Sequence, residues 1–328
     1  MIQLQAIERF SPNHGPRPEP ARIDMLVIHY TGMTTAEAAL ERLCDPDARV
    51  SAHYVIEENG AIWRLVPENR RAFHAGVSCW EGEKDLNAVS LGIEIVNPGH
   101  EWGYRRFPEA QMSSVERLCR DLIGRYSIPP HRVVGHSDIA PERKSDPGEL
   151  FDWARLARAG IGIWPPAKPV PRGCAINPAG ALGDLSSIGY CANAELQAPA
   201  LAAFQRRFRQ SCCDGRLDAE TAARLSEVRE AFARSRGSAG GAGSQVEHQG
   251  VLQPLQINRA VPCAGQCERH DKQGHGNHRR GPRPDERRKS CVGHFGQTLF
   301  PVSSGAHPTS SHSRCFLGCP PVNRITYP

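Results

Sequence analysis

Hydrophobic positions fall into short, separate runs over the first half of the chain. Met25-Leu26-Val27-Ile28 is an unbroken apolar stretch of buried-strand length, and it ends at His29-Tyr30-Thr31-Gly32. From Thr35 to Cys44, Ala and Leu recur at helical spacing, with Thr34 or Thr35 placed to cap the helix. His53-Tyr54-Val55-Ile56 and Ile62-Trp63-Arg64-Leu65-Val66 flank Glu58-Asn59-Gly60, and the Asn-Gly pair predicts a hairpin. Val89 to Val96 reads as another buried strand, interrupted only by Gly92 and Glu94. Met112, Val115, Leu118, Leu122 and Ile123 line one face of a helix expected over Pro108 to Tyr126. Val133-Val134 is a last short strand before Gly135-His136. The pattern is that of an α/β domain over residues 1–165.

The rhythm then changes twice. Pro165-Pro166-Ala167-Lys168-Pro169-Val170-Pro171 is a stiff stretch, so residues 166–176 are expected to be a linker. Residues 177–235 read as a small helical unit. Leu182, Leu185 and Ile188 precede Gly189-Tyr190, Leu201, Phe204 and Phe208 form one stripe, and Asp214 to Asp218 turns into a helix from Ala219. Such a unit builds a modest core and is expected to be marginal alone. Periodicity disappears after about residue 236, and Gly, Ser, Pro and Arg dominate. Seven of the fourteen histidines and five of the twelve cysteines lie there. Residues 236–328 are expected to be disordered, because they cannot bury enough apolar surface to offset ordering entropy. Cys263/Cys267 and Cys315/Cys319 do not have the two-residue spacing of common zinc sites. Readthrough or a frameshift past an end near residue 235 is a plainer source of such a composition.

Composition adds few constraints. Hydrophobic content is 39% and mean hydropathy −0.47, low for a chain that is globular throughout. A net charge of +5 suits any anionic polymer and singles out none. An apolar run long enough to span a membrane is absent, and the first ten residues lack a secretory pattern. The expectation is a cytoplasmic protein, with the periplasm or cell envelope as the alternative if the true start encodes a signal. Scattered cysteines and the adjacent Cys212-Cys213 argue for free thiols.

Chemistry concentrates at three places. His29 closes a buried strand, where α/β folds tend to place site residues. Glu94 interrupts an apolar strand, and a carboxylate buried there needs a partner or a task. Gly135 to Gly148, reading GHSDIAPERKSDPG, gathers imidazole, ammonium and carboxylate in one loop. A hydrolytic zinc takes three protein ligands and keeps one position open. Spacing alone does not choose among His14, His29, His53, His74, His100, His131 and His136.

Val27-Ile28-His29-Tyr30-Thr31, Ser51-Ala52-His53-Tyr54, Phe73-His74-Ala75-Gly76, Ser90-Leu91-Gly92-Ile93-Glu94 and the Gly135–Gly148 loop together resemble the type 2 N-acetylmuramoyl-L-alanine amidases. The resemblance covers about residues 22–165. It implies the fold of peptidoglycan recognition proteins and T7-type lysozyme, a mostly mixed central β-sheet flanked by helices. Ile188-Gly189-Tyr190, Ala203 to Arg209 and Asp214 to Thr221 are similar to the three-helix peptidoglycan-binding domain. Carried over residue by residue, the resemblance implies that His29, His136 and Asp146 ligate one zinc ion per catalytic domain. It implies Glu94 as general base and Lys144 as oxyanion stabiliser, with His74, Asn87 and Tyr30 contacting substrate. The bond cleaved would join the lactyl group of N-acetylmuramic acid to L-alanine, in peptidoglycan fragments or murein polymer.

Plainer roles compete at several positions. Simple packing is the alternative for His74 and Asn87, a supporting structural role for His53, core and rim for Trp63 and Trp80, and the surface for His100 and His131. A non-catalytic receptor of the same fold is the rival function, and the intact set His29, His136, Asp146, Glu94 and Lys144 weighs against it. Nucleic-acid binding would rest only on the Arg-rich tail. Oligomeric state has no sequence signal.

Overall fold

The computed structural model describes residues 5–170 and 176–239. The tail expected from residue 236, its cysteine pairs, and residues 171–175 of the expected linker lie, but for residues 236–239, outside the described residues.

In chain order the elements begin with strands β1 (Ile7–Glu8), β2 (His14–Pro16) and β3 (Met25–Tyr30), then helix α1 (Ala36–Cys44). Next come β4 (Tyr54–Ile56), β5 (Ile62–Arg64), β6 (Arg70–Ala72), α2 (Leu86–Val89) and β7 (Ser90–Ile95). They are followed by α3 (Gly99–Trp102), α4 (Glu109–Tyr126), β8 (Val133–Gly135), α5 (His136–Ile139) and α6 (Trp153–Arg158). The last three are α7 (Pro178–Ile188), α8 (Gln197–Phe208) and α9 (Ala219–Ala239).

Six strands form a mixed sheet in the order β1-β5-β4-β7-β3-β8, in which only the β4/β5 pair is antiparallel. The Asn-Gly hairpin is present: Gly60 turns at φ 87 and its N–H bonds to the Glu57 carbonyl at 2.9 Å. Thr35 caps α1, its hydroxyl accepting the Ala38 N–H at 3.2 Å.

Alternation along the strands sorts residues onto two faces. Leu26 and Ile28 of β3, Leu91, Ile93 and Ile95 of β7, and Tyr54 and Ile56 of β4 face α4, packing on Met112, Val115, Leu118 and Leu122. Each such side chain contributes about 2 kcal/mol when fully buried. On the other face, Met25, Val27 and Val134 share a core with Leu185, Ile188, Phe204, Phe208, Leu225 and Phe232 of α7–α9. The helices after the linker therefore complete the second layer over β3 and β8. His29 stands two residues beyond Val27 on that face, at the C-terminal end of its strand.

Two expectations are corrected here. Cys79 and Cys191 form a disulfide with S–S 2.00 Å, so these two are not free thiols. Nothing in their spacing of 112 residues announces the pairing. His131 is not a surface residue: it is 8% exposed, with Nδ1 at 3.2 Å from the Ser235 hydroxyl. The segment before β3 had no sequence reading, yet it delivers a buried guanidinium. Arg17 donates to the carbonyls of Glu68, Asn87, Ala88 and Ser90 at 2.7–3.2 Å. Burial lowers its pKa to about 10.

Candidate metal centre

Strand β3 ends on His29, α5 begins on His136, and the loop after α5 delivers Asp146. These residues are separated by up to 117 positions in sequence, but their donor atoms converge. His29 Nδ1 lies 2.9 Å from His136 Nδ1 and 3.2 Å from Asp146 Oδ2, and His136 Nδ1 lies 3.1 Å from the same oxygen. All three residues are buried, and together they form a group able to hold a metal ion. Ser137 N–H bonds the Asp146 carbonyl at 2.8 Å, which ties the carboxylate's loop to the helix of His136.

The protons around this triangle can be placed by elimination. Ser90 has one hydroxyl hydrogen, and it goes to the Leu86 carbonyl at 2.5 Å, because a carbonyl only accepts. Ser90 Oγ must then accept from His74 Nε2 at 3.2 Å. Burial first, and then the His29 imidazole, hold the His74 pKa well below its ordinary value, so the ring is neutral and its Nδ1 is bare. That nitrogen accepts from His29 Nε2–H at 3.0 Å. Burial also lowers His29, to a pKa of about 4, so its Nδ1 is bare as well. His136 Nε2–H donates to the Ala75 carbonyl at 3.1 Å, which turns Nδ1 of the ring toward His29 and Asp146. Burial raises the Asp146 pKa, but His136 and His29 outweigh it and hold the carboxyl far below its ordinary range.

Two imidazole nitrogens and a carboxylate oxygen thus face one another at 2.9–3.2 Å. Such a set of donors is spaced to take a cation. Zinc bonds of roughly 2.0 Å at the tetrahedral angle place ligand atoms roughly 3.3 Å apart, close to the observed separations. Two imidazoles and a carboxylate suit zinc, whereas magnesium and calcium favour all-oxygen shells.

Glu94 lies beside this group. It pairs with His29 in the β3/β7 ladder and shares its face of the sheet. The residue is half-buried, but Oε2 is covered and has no hydrogen-bond partner. Burial, then the Asp146 carboxylate, push its pKa well up, against the opposing pull of Lys144. Lys144 is exposed, two residues before Asp146.

The residues expected at the substrate are distributed differently. His74 is spent on His29 and Ser90, and Asn87 Oδ1 accepts the N–H groups of His74 and Ala75 at 3.1 and 2.9 Å. Tyr30 reaches outward, its hydroxyl 2.9 Å from His100 Nδ1 and 3.0 Å from Ser145 Oγ. His53 lies beneath, fully buried, its Nδ1 accepting the Gly92 N–H at 3.0 Å. Gly92 leaves room for His74: a Cβ there would sit 2.4 Å from the ring. Asp138, Tyr190 and Arg207 belong to longer sequence motifs that give none of them a role of its own, yet all three are buried together behind His136.

Fold and site together define an α/β protein with a three-donor metal-type centre. The family model described as N-acetylmuramoyl-L-alanine amidase matches residues 19–149. The chain is 39% identical to N-acetylmuramoyl-L-alanine amidase AmiD of Escherichia coli over 234 residues, 64% of this chain and 84% of that protein. It is 36% identical to 1,6-anhydro-N-acetylmuramyl-L-alanine amidase AmpD of Enterobacter cloacae over 163 residues, 44% of this chain and 85% of that protein. The structure is similar to that of Escherichia coli AmiD in complex with anhydro-N-acetylmuramic acid-L-Ala-D-gamma-Glu-L-Lys. The TM-score is 0.58 and the identity 38%, over 65% of this chain and 92% of that one. It is also similar to AmpDh3 of Pseudomonas aeruginosa with anhydromuramic pentapeptide, at TM-score 0.57 and 33% identity over 70% and 98% of the two chains. The chain belongs to the N-acetylmuramoyl-L-alanine amidase family.

Proposed function

We propose that the chain hydrolyses the amide between the lactyl group of N-acetylmuramic acid and L-alanine, in peptidoglycan or muropeptides, with one zinc ion held by His29, His136 and Asp146. The observation that carries this reading is the converging donor atoms of His29, His136 and Asp146 beside an unpartnered Glu94 Oε2. A bound zinc would polarise the lactyl carbonyl and acidify the attacking water. Glu94 would take the proton from the attacking water, a task suited to a carboxylate whose pKa burial has raised. Lys144, whose charge is felt at both Glu94 and His29, would offset the charge that develops on the carbonyl oxygen. His74 and the Ala75 carbonyl orient the two ligand imidazoles, and Asn87 holds both residues in place. Tyr30, hydrogen-bonded to His100 and Ser145, would be the residue of this set that meets substrate.

Helices α7–α9 are proposed as the wall-binding part. In support, the likeness to AmiD runs over 234 residues, well beyond the segment matched by the family model. No helix among the described residues is long and apolar enough to cross a membrane. The Cys79–Cys191 bridge favours an oxidising compartment, hence the envelope over the cytoplasm.

Incubation of the purified full chain with muropeptides, with and without a chelator, tests this reading by mass spectrometry. The expected product is free stem peptide beginning at L-alanine, lost on chelation and restored by zinc. Muropeptide binding without cleavage, at stoichiometric zinc, would make the chain a receptor of the same fold.

A further inference from the structure

We propose that Arg207 and Tyr190, from the helical segment after the linker, are positioning residues for the metal centre and act through Asp138. Asp138 is the third residue of α5, the helix that begins on His136. Its Oδ2 accepts the Gly135 N–H at 2.8 Å, holding the turn from which His136 emerges. The same carboxylate is gripped from α7–α9. Arg207 Nη1 donates to Oδ2 at 2.7 Å, and the Tyr190 hydroxyl donates to Oδ1 at 2.6 Å.

Arg207 is anchored at both ends of this short segment. Its Nη2 donates to the Val133 carbonyl at 2.9 Å, and its guanidinium lies over the Trp153 ring at 4.3 Å. The ion pair is sealed, with side chains 2% and 1% exposed. In such a setting a carboxylate is held by its partner or not at all, because an unpaired buried charge is strongly unfavourable. Without Arg207, Asp138 would lose the partner that fixes its position and turn away, and the Gly135 N–H would lose its acceptor. The backbone presenting His136 would loosen, and with it the Asp146 loop that hangs on Ser137 N–H.

A second tether runs in parallel. Cys191, adjacent to Tyr190, is bonded to Cys79, whose N–H donates to the Ile139 carbonyl at the end of α5, at 2.8 Å. The helical segment therefore grips α5 at both its start and its end. It is a brace for the catalytic loop as well as a second layer of the fold.

This inference depends on the zinc reading above, and the test separates the two. Zinc affinity is measured on metal-free full-length protein by competition with a chromogenic chelator, beside circular dichroism and steady-state kinetics. Arg207→Met is expected to weaken zinc binding by roughly tenfold, the lower end for residues that support a ligand. It should lower kcat while leaving KM near wild type. Arg207→Lys should restore part of the affinity. The pair Asp138→Asn/Arg207→Met should bind zinc better than Arg207→Met alone, because it leaves no lone buried charge. Tyr190→Phe keeps the ring and the ion pair, and should weaken zinc several-fold in a fully folded protein; it decides the matter if Arg207→Met does not fold. Wild-type zinc affinity in folded Tyr190→Phe and Arg207→Met would overturn the brace and leave the amidase reading intact. A wild-type chain that binds no zinc would remove both.

Discussion

His29 and Glu94 are partners across the parallel β3/β7 ladder, so one face of the sheet presents an imidazole ligand and an unpartnered carboxylate side by side. The relationship is set by alternation. Leu91, Ile93 and Ile95 point to the α4 core, which forces Gly92 and Glu94 onto the face of Val27 and His29. A one-residue slip of β7 would bury Glu94 under α4 and expose leucine and isoleucine at the site. The apolar pattern that builds the core thus also places Glu94 beside His29.

Glu94→Gln keeps the size of the side chain and removes its basicity. Zinc binding is expected to stay within about twofold of wild type, while kcat falls by roughly 10²- to 10⁴-fold, the usual worth of a positioned base. Metal analysis with single-turnover assays checks both halves. Wild-type turnover in this variant would move the base elsewhere.

His74 fixes the His29 tautomer through the chain that ends at the Leu86 carbonyl. His74→Leu removes the acceptor of His29 Nε2–H, and zinc affinity is expected to fall by roughly 10- to 100-fold. Gly92→Ala should mimic this by displacing the ring, and overpacking should destabilise the fold by about 1–3 kcal/mol. Chelator competition and thermal melts measure the two effects separately. If His74 served substrate alone, KM would rise in His74→Leu with zinc affinity unchanged.

Elements with long or regular apolar patterns were legible in the residues: β3, β7, α4 and the Asn-Gly hairpin all stand close to the positions their spacing predicts. Strands β1 and β2 were not, because two or three half-exposed residues at a sheet edge carry no periodicity. The triad was legible only through resemblance, since His29 and His136 are 107 residues apart and no local spacing links them. Chemistry pointed independently to Glu94, as a carboxylate in an apolar strand. Asp138 and Arg207 sit inside motifs legible in sequence, but nothing there pairs them. Their role is defined by what α8 packs against, and one-dimensional patterns do not contain that.

Acid sensitivity should trace in part to His53. Burial, and then the Arg17 guanidinium, lower its pKa from 6.5 to about 3. Nδ1 is occupied by the Gly92 N–H, so protonation would break a bond that holds β7. Between these two pH values the unfolded chain binds a proton that the native chain refuses. The contribution is therefore fully present above about pH 6.5 and is lost progressively as pH falls toward 3. His53→Gln cannot titrate and should show a flatter decline of unfolding free energy over this window, from a starting value about 1–3 kcal/mol lower. Denaturation of metal-free protein at several pH values tests it, and parallel curves for variant and wild type would assign the acid sensitivity to other groups.

The Cys79–Cys191 bridge closes a loop with a sequence separation of 112 residues, joining the turn after Ala75 to the helical segment. Closing so long a loop restricts the unfolded chain heavily, so Cys79→Ser/Cys191→Ser is expected to lose about 2–5 kcal/mol of stability. Reductant should lower the melting temperature of the wild-type chain toward that of the variant and leave the variant unchanged. Thiol titration under denaturing conditions should find two more reactive cysteines in reduced than in untreated wild-type protein. No difference in thiol number, together with a melt indifferent to reductant, would show that the two sulfurs do not bond in solution. The envelope reading would then lose its support, while the metal centre, built from other residues, would stand.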